Sequence, residues 1–153
     1  MLYCFLKDNS KEIKVKTIFT QKKRIVLPKW IERNSLDLYF NVVSNAKFQK
    51  LDFNQIKKLT SICEYFKNFE IINTVISENI LPSLDKFTCL KILKDYLEKL
   101  ENEHTKHLYI ELIQRSFETA SKNIFYLINN HQNELALLKH DSLEEIIERF
   151  ILI

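Results

Sequence analysis

Glycine is absent from all 153 residues, and proline occurs only at Pro28 and Pro82. Phosphate-cradling loops, nucleophile elbows and EF-hand turns need a residue without Cβ at fixed positions, so those chemistries are disfavoured from the outset. Long apolar runs are also missing. None approaches the ~18 residues of a membrane span, and the opening MLYCFL gives way at once to KDNSKE, with no signal-peptide core. Cysteine is scarce and odd in number: Cys4, Cys63 and Cys89 each sit among apolar neighbours, with no C-x-x-C spacing. They are expected to be reduced, buried thiols of a cytoplasmic or nuclear chain, not disulfides or zinc ligands.

What remains is ample for a folded core. Hydrophobic residues make up 46% and charged residues 28%, and a chain of this length can bury roughly 70% of its unfolded surface. The net charge of +3 conceals a split. Residues 1–60 hold 13 Lys/Arg against 5 Asp/Glu, a net +8, while residues 61–153 hold 10 against 15, a net −5. Either two differently charged units or one unit with a basic face would give this pattern.

Alternation in the first third suggests strands. Leu2, Cys4 and Leu6 alternate, then Ile13, Val15 and Thr17, and Lys22–Leu27 forms a further short run stopped by Pro28. The segment SLDLYFNVV, 35–43, fits either a strand or a short helix. From Asp52 the helical period takes over. Asp52 and Gln55 form a capping-box pattern, followed by Phe53, Ile56, Leu59, Ile62, Cys63 and Phe66 on one face. A shorter helix carries Phe69, Ile72, Val75 and Ile76. Asp85 is placed to cap a helix bearing Cys89, Leu90, Ile92, Leu93, Tyr96, Leu97 and Leu100. One long helix is expected over 108–128, and a last one from Asp141-Ser142, presenting Leu143, Ile146, Ile147 and Phe150. The fold class implied is α+β, predominantly helical: a short N-terminal β-hairpin or small sheet packed on a C-terminal helical array.

Some of these patterns resemble a known family. Leu59-Thr60-Ser61-Ile62-Cys63-Glu64-Tyr65-Phe66, with Phe69-Glu70-Ile71-Ile72 and Ile80-Leu81, is similar to the last helix pair of a BTB/POZ domain. Leu84-Asp85-Lys86-Phe87-Thr88-Cys89-Leu90-Lys91-Ile92-Leu93 resembles the start of the helical extension that follows it. Ala120–Leu127, Leu135–Leu138 and Ser142–Ile147 resemble the BACK region of Kelch-type adaptors. The resemblance implies a degenerate BTB/POZ-like unit at 1–80, a BACK-like extension at 81–153, and a non-enzymatic adaptor of the kind that serves ubiquitin ligases. Its partners would be proteins: a second copy of itself or a cullin-type scaffold. The H-K-x-x-L-x-x-x-S helix of the family is absent. Gln55-Ile56-Lys57 stands where the family places an apolar and an acidic residue for the cullin contact.

No catalytic set, cofactor site or metal site emerges from the residues. His104 and His107, with Glu103 and Glu111, have a weak metal-ligand spacing, and a solvated loop is the better reading. His131 and His140 read as solvated. Glu144, Glu145 and Glu148 lie where a helix N-terminus favours carboxylates. Trp30, Leu38 and Phe40 are candidate partner-binding anchors, joined by Gln55 and Ile56 at the position matching the cullin contact; core packing is the competing reading for the first three. The alternative function is a small basic nucleic-acid-binding protein that uses Lys14, Lys16, Lys22, Lys23 and Arg24, with Phe19 and Trp30 interleaved for base stacking. A lysine-rich edge strand would look the same.

Overall fold

The computed structural model describes residues 4–6, 12–16, 22–45 and 51–152, with side chains described for 26–44 and 51–152. By backbone pairing, Cys4–Leu6, Glu12–Lys16 and Lys22–Val26 run antiparallel in chain order, with Phe5 opposite Val15 and Lys14 opposite Arg24. From Leu27 onward the described chain is 78% helical and holds no strand. The expected α+β class, with a hairpin packed on a helical array, is therefore overturned. Among the described residues the core is helix on helix, because periodic apolar residues from 36 to 146 bury one another.

Helix α1, Arg33–Asn45, settles the ambiguous SLDLYFNVV segment. Its buried residues are Ser35, Leu36, Tyr39 and Val42, which is helical spacing. Helix α2, Phe53–Tyr65, starts with the expected capping box: the Gln55 N–H donates to Asp52 Oδ1 at 2.8 Å, and the Asp52 N–H donates to Gln55 Oε1 at 3.0 Å. Helix α3, Phe69–Val75, runs on through a wide π-turn at Ile76–Ile80 and a 3-10 turn at Leu81–Ser83. Asp85 and Thr88 then form a second reciprocal cap. The Thr88 N–H donates to Asp85 Oδ1 and the Asp85 N–H to Thr88 Oγ1, launching α4, Cys89–Tyr96.

Helix α5, Lys106–Lys122, packs against both α4 and α8 and occupies the centre. The single helix expected over 108–128 is broken at Asn123. There the backbone leaves the helical region and the side chain donates to the Thr119 carbonyl at 2.8 Å. Helix α6, Ile124–Asn130, and helix α7, Gln132–Ala136, follow. The last helix, α8, His140–Ile151, begins at Lys139 without a side-chain cap. Ser142 is buried in the first turn. Ser121 Oγ lies 2.9 Å from the Ile146 carbonyl, which ties α5 to α8.

One continuous cluster runs from Tyr39 to Ile146, and the boundary expected at residues 80 and 81 falls inside it, between buried Ile80 and Cys89. Each fully buried side chain such as Leu59, Ile92 or Leu112 contributes roughly 1.5–3 kcal/mol. Cys63 and Cys89 are both core residues, as expected from their apolar neighbours. Burial pushes the Cys63 thiol up to about 12 and the Cys89 thiol up to about 11, so neither supplies a thiolate near neutrality.

Candidate functional site: a cleft beside Trp30

Pro28 turns the chain into the helical body, with the Ile31 N–H donating to the Pro28 carbonyl at 3.0 Å. Ile31 packs onto the core, which leaves its neighbour Trp30 on the surface at 54% exposure. The indole meets Tyr65 edge-on, with ring centroids 5.9 Å apart. Tyr65 touches Phe66, which stacks on Tyr39, which touches Phe40. A chain of ring contacts thus runs from solvent into the core and fixes where Trp30 stands.

Trp30 walls a cleft of about 380 Å³ whose other lining residues are Ser35, Asn54, Lys57, Lys58, Ser61 and Ile62. Asn54, Lys57, Lys58 and Ser61 are spaced i, i+3, i+4 and i+7, so they form one stripe on α2, opposite the face that the core uses. Lys58 Nζ donates to Glu32 Oε2 at 2.7 Å and clamps the Trp30 turn to α2. Lys57 Nζ donates to Asp95 Oδ1 at 2.6 Å and reaches α4. Both lysines are about half exposed, and such surface pairs are worth only ~0.2–1 kcal/mol. A carboxylate entering the cleft can therefore exchange with Glu32, the exposed partner of Lys58. The lining combines an apolar wall, two cations and hydroxyl or amide groups, without a carboxylate, imidazole or thiol to serve as a general base.

Behind the cleft, Glu64 anchors α2 to the centre of the molecule. It accepts hydrogen bonds from Lys99 Nζ at 2.6 Å and from the Tyr109 hydroxyl at 2.7 Å. Tyr109 stacks on Tyr96 at 5.6 Å. Burial raises both phenols, that of Tyr96 to about 12, and the bond to Glu64 raises Tyr109 further. Tyr109 is held as a packing and hydrogen-bonding partner and Tyr96 as a packing partner, and neither is poised to transfer protons near neutral pH.

Of the residues singled out from sequence, Trp30 lies at the cleft. Leu38 and Phe40 are half-buried and packed against the core. Gln55 is exposed, with its amide oxygen engaged in the cap of α2. Ile56 is a core residue at 2% exposure. The side chains of Lys14, Lys16, Lys22, Lys23 and Arg24 lie outside the described residues. The polar stripe of α2 was missed, although its 54, 57, 58, 61 spacing is the complement of the apolar stripe and marks a single face.

His104 and His107 are exposed and do not gather with Glu103 or Glu111 into a metal-binding set among the described residues. His140, Asp141 and Glu144 do bring ligand atoms within 4.8 Å of one another, all exposed in the first turn of α8. Carboxylates gather at a helix N-terminus for electrostatic reasons alone. Among the described residues, no helix is long and apolar enough to cross a membrane. Compared with protein-family models, with curated proteins and with solved structures, the chain matches none.

Proposed function

We propose that the chain is a non-enzymatic protein–protein interaction module of the cytoplasm or nucleus, and that it seats a segment of its partner in the Trp30 cleft. The observation that carries this reading is the pairing of a half-exposed indole with two lysines around a cavity of about 380 Å³, a size in the range of ~300–1,000 Å³ typical of ligand pockets. The partner segment carries one aliphatic or aromatic anchor for the Trp30 indole, flanked by Asp or Glu for Lys57 and Lys58. The net +8 of residues 1–60 favours the same acidic partner. An adaptor role of the BTB/BACK kind is compatible with it. A cullin-type scaffold is the less favoured partner, since Ile56 is buried and Lys57 stands where the family places an acid.

Trp30 is the sole tryptophan, so its fluorescence reads the cleft directly. Short peptides with Leu or Phe between acidic residues are expected to shift its emission to the blue and to saturate. The double variant Lys57→Gln, Lys58→Gln should bind them at least tenfold more weakly, with the melting temperature lowered by only a few degrees. Equal binding of the same peptides with Lys in place of the acids would sink the reading. A shift produced by an oligonucleotide instead, with affinity falling steeply as salt rises, would hand the function to nucleic-acid binding.

A further inference from the structure

Helix α8 carries two apolar faces, and the core uses only one. Ser142 and Ile146 are buried. Leu143, Ile147, Phe150 and Ile151, at i, i+4, i+7 and i+8, form a second stripe, of which only Leu143 is packed against the core. The stripe continues onto α6, where Phe125 meets Phe150 edge-on with centroids 5.3 Å apart.

Phe125, Ile147, Phe150 and Ile151 are between 38% and 73% exposed. At roughly 200 Å² for a fully exposed large side chain, they leave on the order of 450 Å² of apolar surface bare, within the ~300–600 Å² of a monomer's largest patch. A stable interface takes about 800 Å² from each partner, a little over half of it apolar. This one patch supplies that apolar share without recruiting any other element. We infer that two copies of the chain associate through it, the α8 stripe and Phe125 of one copy against the same surface of the other, in the self-complementary manner of a two-fold dimer.

Charge gives the association a signature. Asp141, Glu144 and Glu148 are exposed along the outer edge of α8, with Glu144 facing the His140 imidazole at 3.4 Å, while Glu145 is already paired with Arg149. Each copy thus brings an acidic rim to the contact. Like-charged rims repel, and salt screens them, so dimerisation should strengthen as salt rises. Assembly of a basic N-terminal third on an acidic C-terminal half would show the opposite trend. The inference is independent of what occupies the Trp30 cleft.

Sedimentation velocity on the full chain, over about a hundredfold range of concentration, tests it. The expected result is a reversible monomer–dimer equilibrium that tightens with added salt. The double variant Phe125→Lys, Ile151→Lys alters two exposed positions, so it should keep the helical circular dichroism and melting temperature of the monomer while weakening the dimer about a hundredfold or more. A wild-type chain that stays monomeric throughout, a dimer that survives the double substitution, or a dimer that dissociates as salt rises would each overturn the inference.

Discussion

The two candidate surfaces are built from the same material, one face of an amphipathic helix, yet they differ in what the rest of the fold did with the opposite face. Helix α2 spends its apolar residues on the core: Ile56, Leu59, Ile62 and Cys63 are buried, and what it shows to solvent is polar and cationic. Helix α8 buries Ser142 and Ile146 and leaves Ile147, Phe150 and Ile151 outside. The first makes a small, polar-rimmed cleft suited to a short acidic segment. The second makes a broad apolar face suited to another folded surface. A central helix can satisfy its apolar residues on several sides, as α5 does between α4 and α8. Among the described residues α8 has its neighbours, α5 and α6, on one side, so the apolar stripe beyond that arc stays exposed unless a second molecule covers it.

The sharpest way to break this comparison is to ask whether the two ends belong to one cooperative unit. Leu59 lies under the cleft in α2 and Leu127 lies in α6 near the apolar face; both are fully buried. Leu59→Ala and Leu127→Ala should each cost about 2–5 kcal/mol, and each should lower a single melting transition seen equally by Trp30 fluorescence and by helical circular dichroism. If Leu59→Ala melted the Trp30 environment while the remaining helices persisted, the continuous core from Tyr39 to Ile146 would not act as one, and the two surfaces would belong to separate units.

The contrast between the ends also explains how far the sequence could be read. Helix α2 was legible in its apolar face and its cap, because Asp52, Gln55 and the i, i+3, i+4 spacing all point to the same element. The α4 residues Cys89, Leu90, Ile92, Leu93 and Tyr96 were legible for the same reason. The fold class was misread because alternation before Pro28 was taken to contribute a packed sheet, whereas the helices from Leu36 onward complete a core among themselves. Asn123 hid the break between α5 and α6, since the apolar spacing continues through it from Ala120 to Ile124 and Leu127. In α8, periodicity grouped Ile146, Ile147 and Phe150 on one face without indicating how wide an arc the neighbours would cover. Trp30 was picked out as an anchor, but its cleft was not, because the cations beside it come from the half of α2 that reads as solvent-facing.

An effect of comparable size should come from alkaline pH, and it marks the interior that joins the two surfaces. The ordinary thiol value is 9.0, and in the folded chain Cys63 and Cys89 are raised to about 12 and about 11. Above pH 9 the unfolded chain therefore releases protons that the folded chain still holds, so stability is full below pH 9 and declines as pH rises toward the folded values. The expected decline is about 1.4 kcal/mol per pH unit for each thiol in that window. Tyr96, raised from 10.0 to about 12, steepens it above pH 10. Denaturant melts at pH 8, 9, 10 and 11 measure this slope. Cys63→Ala should flatten it by about one thiol's share, and a stability unchanged up to pH 11 would show that the thiols are not held in the core.

The smallest expected effect sits at the end of α2 and separates the two surfaces most cleanly. With no glycine in the chain, the left-handed position that closes α2 is occupied by Lys67, at φ 56. The closure is a Schellman motif. The Asn68 N–H donates to the Cys63 carbonyl at 2.8 Å, the Lys67 N–H donates to the Glu64 carbonyl at 3.0 Å, and the Asn68 side chain reaches the Tyr39 hydroxyl at 3.3 Å. A side chain with Cβ in this conformation costs roughly 1–2 kcal/mol, part of which glycine gives back through the greater freedom of its unfolded state. Lys67→Gly should therefore stabilise the fold by roughly 0.5–1 kcal/mol, or about 1–4 °C in melting temperature. Lys67→Val, β-branched, should destabilise it. Because the substitution acts on the turn between α2 and α3, self-association through α6 and α8 should not change in either variant. A Lys67→Gly chain that melts lower than the parent would mean that the lysine side chain makes a contact worth more than the strain. A change in dimer affinity would mean that the end of α2 and the face of α8 are coupled through the core and are not the independent surfaces their geometry describes.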